Sequence, residues 1–150
     1  MVPRWSLELC ERLEKAGARY VVVSGTAVVL HGFVRPILDL DLVIDPAPAE
    51  VDRAMGVLFH AGFVPTLPLP MSAVTVMRLF DPAQREVDVF VRYAIPFAEL
   101  RAASAQVVVE GVPVRILSLD HLLRVKRGQA RPHDVQDVEG LLALGKDRAP

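Results

Sequence analysis

The sequence has one cysteine in 150 residues, Cys10. A single thiol excludes an internal disulfide and any zinc site built on several cysteines. Aromatic residues are scarce, at 6% of the chain. Neither sign of charge is in excess: the formal net charge is −1 at pH 7. The chain as a whole therefore carries no polybasic footprint for nucleic acid or an anionic membrane. Long hydrophobic runs are missing too. The longest stretch without a formal charge, residues 54–77, is interrupted by Gly56, Gly62, Pro65, Pro68 and Pro70, so it cannot form one spanning helix. The start, Met1-Val2-Pro3-Arg4-Trp5, meets Glu8 and Glu11 at once and has no apolar region of the signal-peptide kind. The expectation is a soluble cytoplasmic protein with no membrane partner. Neither a G-x-x-x-x-G-K-[ST] loop nor a G-x-G-x-x-G turn occurs, so the two commonest nucleotide motifs are absent.

What is present is 52% hydrophobic and 23% charged, which excludes a disordered tail. The length suits one domain over residues 1–150, with enough chain to bury a real core. Residues 6–17 read as a helix capped by Ser6 and stopped by Gly17, with Cys10 as a small buried hydrophobe. Tyr20–Val23 is a buried strand, and Thr26–His31 a short helix ending at Gly32. Leu38–Ile44 is a second strand. Val51, Met55, Leu58 and Phe59 stripe a helix that Gly62 ends. Residues 63–72 are irregular or form an edge. Val74–Phe80 and Glu86–Arg92 form a hairpin, and Pro96–Ala103 a short helix. Residues 106–110 and 112–116 pair around Gly111. Ser118 caps a helix to about Gly128, a loop spans 129–132, and a last helix runs from His133 to Leu144, closed by Gly145. Irregular interleaving of helices and hairpins predicts an α/β (α+β) fold, a mixed sheet flanked by helices.

The most informative segment is Asp39-Leu40-Asp41-Leu42-Val43-Ile44. Side chains alternate along a strand, so Asp39 and Asp41 share a face, about 6.6 Å apart along it. Leu40, Leu42 and Ile44 point into a core. Aspartate is a poor strand former, and like charges at neighbouring positions repel. Hard divalent cations such as Mg²⁺ take oxygen ligands and would relieve the repulsion. An isolated D-x-D is more often a solvated sheet face. Here Asp88 stands in a second strand-like run, Glu86-Val87-Asp88-Val89-Phe90. If that strand lies beside the first, three carboxylates converge, which suits a two-metal clamp with ions about 3.5–4 Å apart. Glu86 competes with Asp88 for the third place, because alternation puts both on one face.

Upstream, Val21-Val22-Val23 runs into Ser24-Gly25-Thr26-Ala27, a strand, a glycine turn and a helix. Backbone N–H groups at such a turn hold phosphate oxygens, and Ser24 and Thr26 add hydroxyl donors. Gly25 alone is more often just a tight turn. Residues 121–133 contain Arg124, Lys126, Arg127 and Arg131 and no acid; a solvated helix face and a cationic wall for a polyanion explain this equally well. Asp134 and Asp137 share a helix face, where a structural role is as reasonable as a functional one. His31 reads as a hydrogen-bonded structural residue.

Together these segments resemble the minimal nucleotidyltransferases of the DNA polymerase β-like superfamily, of the abortive-infection and toxin–antitoxin type. The family's Gly-Gly-x-Ala turn is matched by Ser24-Gly25-Thr26-Ala27. Its His-Gly-x-x-Arg-x-Thr-x-Asp-x-Asp stretch is matched from His31-Gly32 through Arg35 to Asp39-Leu40-Asp41, and its third carboxylate by Asp88. A lysine-bearing helix is matched at Lys126, and an Arg-x-Lys-Asp stretch at Arg131-Pro132-His133-Asp134.

The resemblance implies a nucleotidyltransferase-like fold with C-terminal helices. It also implies transfer of a nucleoside monophosphate from a nucleoside triphosphate to a hydroxyl of an RNA end, a protein or a small molecule. Asp39, Asp41 and Asp88 would be catalytic and hold two Mg²⁺ ions. Ser24, Gly25, Thr26, Arg35 and Lys126 would bind the nucleotide, with Lys126 on the triphosphate. Three positions depart from the pattern: Ser24 replaces the first glycine, Ile37 the threonine and His133 the lysine. They motivate a second reading, a weak or inactive binding module such as a toxin–antitoxin component that meets a protein from a neighbouring gene. A D-x-D sugar-nucleotide transferase is a third reading, which leaves the Lys126 match unexplained.

Overall fold

Three successive β-branched residues make Tyr20–Val23 a strand, and all four of its side chains are buried. A strand buried on both faces needs a layer on each side. The computed structural model describes residues 2–129 and 131–148. In chain order its elements are α1 (Arg4–Lys15), β1 (Tyr20–Val23), α2 (Ser24–Leu30), β2 (Asp39–Ile44), α3 (Pro48–His60), β3 (Val64–Pro65), a 3-10 turn (Met71–Ala73), β4 (Val76–Phe80), β5 (Glu86–Phe90), α4 (Phe97–Ala102), β6 (Ala105–Val109), β7 (Val112–Ile116), α5 (Leu119–Gln129) and α6 (Pro132–Arg148). Seven strands form one mixed sheet in the order β3-β4-β5-β2-β1-β7-β6.

Alternation divides the core in two. Tyr20, Val22, Leu40, Leu42 and Ile44 pack with Leu9 and Leu13 of α1 and with Met55 and Leu58 of α3. Val21, Val23 and Val43 face the other way, onto Val28 of α2, Leu100 of α4, Leu122 of α5 and Leu141 of α6. The expected mixed sheet flanked by helices is what the chain forms.

The strand that carries the two aspartates lies inside the sheet, antiparallel to β1 and parallel to β5. Its apolar face and its two ladders hold it in place despite Asp39 and Asp41. A parallel pair needs a long crossover, and here the crossover carries α3, β3 and β4. Its register sets Asp39 opposite Glu86 and Asp41 opposite Asp88. The hairpin partner β4 then sets Arg78 opposite Asp88.

Several boundaries differ from expectation. Helix α1 starts at Arg4 with Pro3 at its N-cap, a residue that loses nothing by lacking an N–H there. Ser6 is not the cap; it lies inside the first turn, buried, and its hydroxyl has no partner. Helix α2 begins at Ser24, two residues early. Strand β2 begins at Asp39, which leaves Leu38 exposed. The hairpin strands are shorter, Val76–Phe80 and Glu86–Phe90. Helix α6 continues through Gly145 to Arg148; one interior glycine costs a helix only about 1 kcal/mol. Ala130, within the expected 129–132 loop, lies outside the described residues, as do Met1, Ala149 and Pro150. Ser118 does cap α5, its Oγ accepting from the His121 N–H at 3.1 Å. Cys10 is buried, with its thiol pushed up to about 12 by burial and by Glu14. No helix among the described residues is long and apolar enough to cross a membrane.

Candidate active site

Neighbouring strands in parallel register bring like residues side by side. Asp39, Asp41 and Asp88 each present a carboxylate oxygen, and these oxygens all lie within 4.8 Å of one another. At such separations each like-charge pair costs roughly 3–4 kcal/mol at an effective dielectric constant near 20. Three full charges without a cation are therefore unfavourable. Burial first, then Asp39, pushes the Asp41 carboxyl up to about 7, with Asp88 and Glu86 adding to the rise and a hydrogen bond from Ser24 opposing it. Burial and Asp88 also push Glu86 up, against Arg78.

One oxygen of Asp41, Oδ1, is buried and has no hydrogen-bond partner. An unpartnered buried carboxylate oxygen costs about 1–3 kcal/mol or more, and a hard divalent cation is the partner that suits three convergent oxygens. The donor set therefore fits Mg²⁺.

Arg78 is the nearest positive charge on these strands. Its Nε donates to Asp88 Oδ1 at 3.0 Å and lies 3.3 Å from Glu86 Oε2. Sequence reasoning overlooked this arginine. The signal was available: in a Val76–Phe80/Glu86–Phe90 hairpin, Arg78 falls on the face of Glu86 and Asp88.

The turn upstream closes over the same place. Ser24 has φ +57, a left-handed conformation costing a side-chain-bearing residue roughly 1–2 kcal/mol, and its hydroxyl favours the charged form of Asp41. Thr26 is buried, and its Oγ1 donates to the Asp39 carbonyl at 3.5 Å; it ties α2 to the start of β2. Gly25 leaves room for Arg35: a Cβ there would stand 3.1 Å from Arg35 Nη2.

Arg35 does not reach Asp41. Its Nε and Nη2 grip Asp137 at 2.8 and 3.0 Å. Lys126 is 4% exposed and bridges Asp134 Oδ1 at 2.9 Å and Asp137 Oδ2 at 3.0 Å. Arg131 Nε completes the cluster on Asp134 Oδ2 at 2.7 Å. Burial alone would raise Asp134, but hydrogen bonds from Arg131 and Lys126 outweigh it and hold the carboxyl at about 2. Asp134 and Asp137 thus fix Arg35 and Lys126 in place, a role the sequence left open. His31 bonds the Leu117 carbonyl through Nε2 at 2.8 Å, as expected of a structural histidine.

A cleft of about 500 Å³ lies between the two clusters. Asp39, Asp41 and Glu86 line one wall; Arg35, Lys126, Arg131 and His133 line another, with Ser24 and Gly25 between. Thr26 does not line it, and Asp88 lines a neighbouring cavity. Such a cleft offers oxygen ligands and cations to one polyanion at once.

This architecture is a nucleotidyltransferase-like fold, as its likeness to solved structures shows. A lincosamide antibiotic adenylyltransferase bound to lincomycin superposes with a TM-score of 0.70 at 15% identity, over 93% of this chain and 96% of that one. The enzyme ANT(2")-Ia in complex with adenylyl-2"-tobramycin gives 0.67 at 13%, over 97% of this chain and 92% of that one. An antigenic nucleotidyltransferase-like protein from Paracoccidioides brasiliensis gives 0.65 at 20%, over 94% and 75%. No family model and no curated protein sequence matches the chain. At these identities the comparison establishes the fold and leaves the toxin–antitoxin type to other evidence.

Proposed function

We propose that the protein is a Mg²⁺-dependent cytoplasmic nucleotidyltransferase, acting as one domain over residues 1–150, that moves a nucleoside monophosphate from a triphosphate to a hydroxyl acceptor. The observation that carries this is the unpartnered Asp41 oxygen among three convergent carboxylates, facing a wall of fixed cations across one cleft. Asp39, Asp41 and Asp88 hold two Mg²⁺ ions. When bound, these supply positive charge that neutralises the phosphates and lowers the pKa of the acceptor hydroxyl.

The chain's own residues do the positioning. Arg35 and Lys126, held by Asp137 and Asp134, line the cleft and give that wall the positive potential that attracts the triphosphate. Ser24 and Gly25, which line the cleft, lie beneath the phosphates. The acceptor oxygen forms a bond to the α-phosphorus as the bond to pyrophosphate breaks. Pyrophosphate leaves with that electron pair, and the hydroxyl proton is released to water.

Calorimetric titration with a non-hydrolysable ATP analogue, with and without Mg²⁺, tests the reading. Binding is expected only with Mg²⁺. Asp39→Ala and Asp41→Ala each abolish it and abolish transfer of an α-labelled nucleotide, with the far-UV circular dichroism unchanged. Metal-independent binding, or wild-type transfer by either variant, removes the mechanism.

A further inference from the structure

A second cavity reaches the carboxylate cluster at Asp88. It measures about 260 Å³ and lies between the 66–74 loop and β4. Leu67, Leu69, Val74 and Val76 line it, and its charged residues are Arg78 and Asp88. Leu67, Leu69 and Val76 are exposed, at 63%, 47% and 42%. The loop is held to the sheet where the Thr66 N–H donates to the Arg78 carbonyl at 3.2 Å, and it turns tightly where the Leu69 N–H donates to the Leu67 carbonyl at 2.8 Å. Asp88 belongs to this cavity, Asp39 and Asp41 to the larger one, and the three form one cluster.

We propose that this cavity seats the acceptor and selects an electroneutral molecule with a hydroxyl group on an apolar body. The inference rests on the nucleotidyl-transfer reading above. An in-line displacement needs the attacking oxygen and the leaving group on opposite sides of the phosphorus, and two cavities meeting at one carboxylate cluster provide two approaches. One wall of the larger sets three cations, Arg35, Lys126 and Arg131, against two acids, Asp134 and Asp137, and this surplus suits a triphosphate. The smaller has no cation to spare, because Arg78 is engaged by Asp88 and Glu86. An anionic chain such as RNA finds no second positive charge among the lining residues. A polycationic amino sugar meets aliphatic walls and a guanidinium, and would lose its hydration without a free carboxylate. A volume below the roughly 300–1,000 Å³ of drug-sized pockets suits a body of one or two rings.

The probe is 2-naphthol, followed by its own fluorescence, against wild-type protein holding Mg²⁺ and the non-hydrolysable ATP analogue. Saturable binding is expected, with no displacement by tobramycin. Val76→Asp, or Leu69→Asp if the first variant melts early, weakens naphthol binding at least about tenfold and leaves Mg²⁺-dependent triphosphate binding unchanged. No saturable binding, indifference to these substitutions, or equal competition by tobramycin overturns the proposal. Triphosphate binding separates the two failures: retained, only the acceptor assignment falls; missing from the wild type, the underlying reading falls first.

Discussion

Two groups of carboxylates flank one cleft, and they behave in opposite ways. Asp134 is fully buried and held at about 2; Asp41 is half-buried and pushed up to about 7. Residue type does not separate them, but partners do. Asp134 accepts from Lys126 and Arg131, and Asp137 from Arg35 and Lys126. Around Asp41 the acids Asp39, Asp88 and Glu86 have Arg78 between them. One cluster completes itself with the chain's own cations. The other is short of positive charge, which is where a ligand can add it. Sites built to bind or react are commonly destabilised until occupied.

Removing an acid should therefore have opposite signs in the two clusters. The largest effect is expected for Asp137→Ala, which leaves Lys126 and Arg35 without a shared partner. Breaking a buried pair from one side costs about 3–5 kcal/mol, and urea denaturation should report a loss of that size. Next comes Gly140→Ala. A Cβ at this position in α6 would collide with the Phe33 ring, and overpacking costs about 1–3 kcal/mol. Because Phe33 precedes the Arg35 loop, the variant should also weaken Mg²⁺-dependent triphosphate binding. Asp41→Asn should raise the melting temperature of the metal-free protein by a few degrees while abolishing Mg²⁺-dependent binding. A lowered melting temperature there would break the contrast.

Titration sharpens it further. A carboxyl raised in the folded state binds its proton more tightly there than in the unfolded chain. Metal-free protein should therefore gain stability as pH falls through about 7 toward the ordinary aspartate range, and Asp41→Asn should flatten that rise. Asp134 acts in the other direction. Its contribution is complete above the ordinary aspartate value and is lost as pH falls toward about 2, so acid unfolding should come earlier in Asp134→Asn. The smallest effect is expected at the turn. Ser24→Gly relieves roughly 1–2 kcal/mol of left-handed strain but gives up the hydroxyl that favours a charged Asp41, leaving a net change under about 1 kcal/mol by thermal melting.

Alternation and strand composition were enough to put Asp39 with Asp41 on one strand face and Glu86 with Asp88 on another, and the convergence of the two waited on strand pairing. They could not choose between Glu86 and Asp88, because that depends on register. Parallel pairing opposite Asp41 settles the geometry in favour of Asp88. The basic stretch was legible as composition but not as direction: Lys126 turns inward to Asp134 and Asp137, whereas Arg124 and Arg127 face solvent. Arg35 was legible as a residue near the acids, while its partner Asp137, 102 positions away, was not. Contacts between distant segments depend on how layers pack, and local pattern does not carry that information. Start and stop signals failed at Ser6 and Gly145, where core packing and helix continuity outweighed local preference.

The parallel register of β2 and β5 also constrains when the protein can begin to work. Asp41 and Asp88 become neighbours only after α3, β3 and β4 have been synthesised and folded back across the sheet. Non-local pairing of this kind forms late and slowly. A nascent chain still short of residue 86 has its first two aspartates but no third, and Arg35 waits longer still for Asp137 at the far end. The cleft is therefore unfinished until α6 has packed against the Arg35 loop and Asp137 has met its guanidinium.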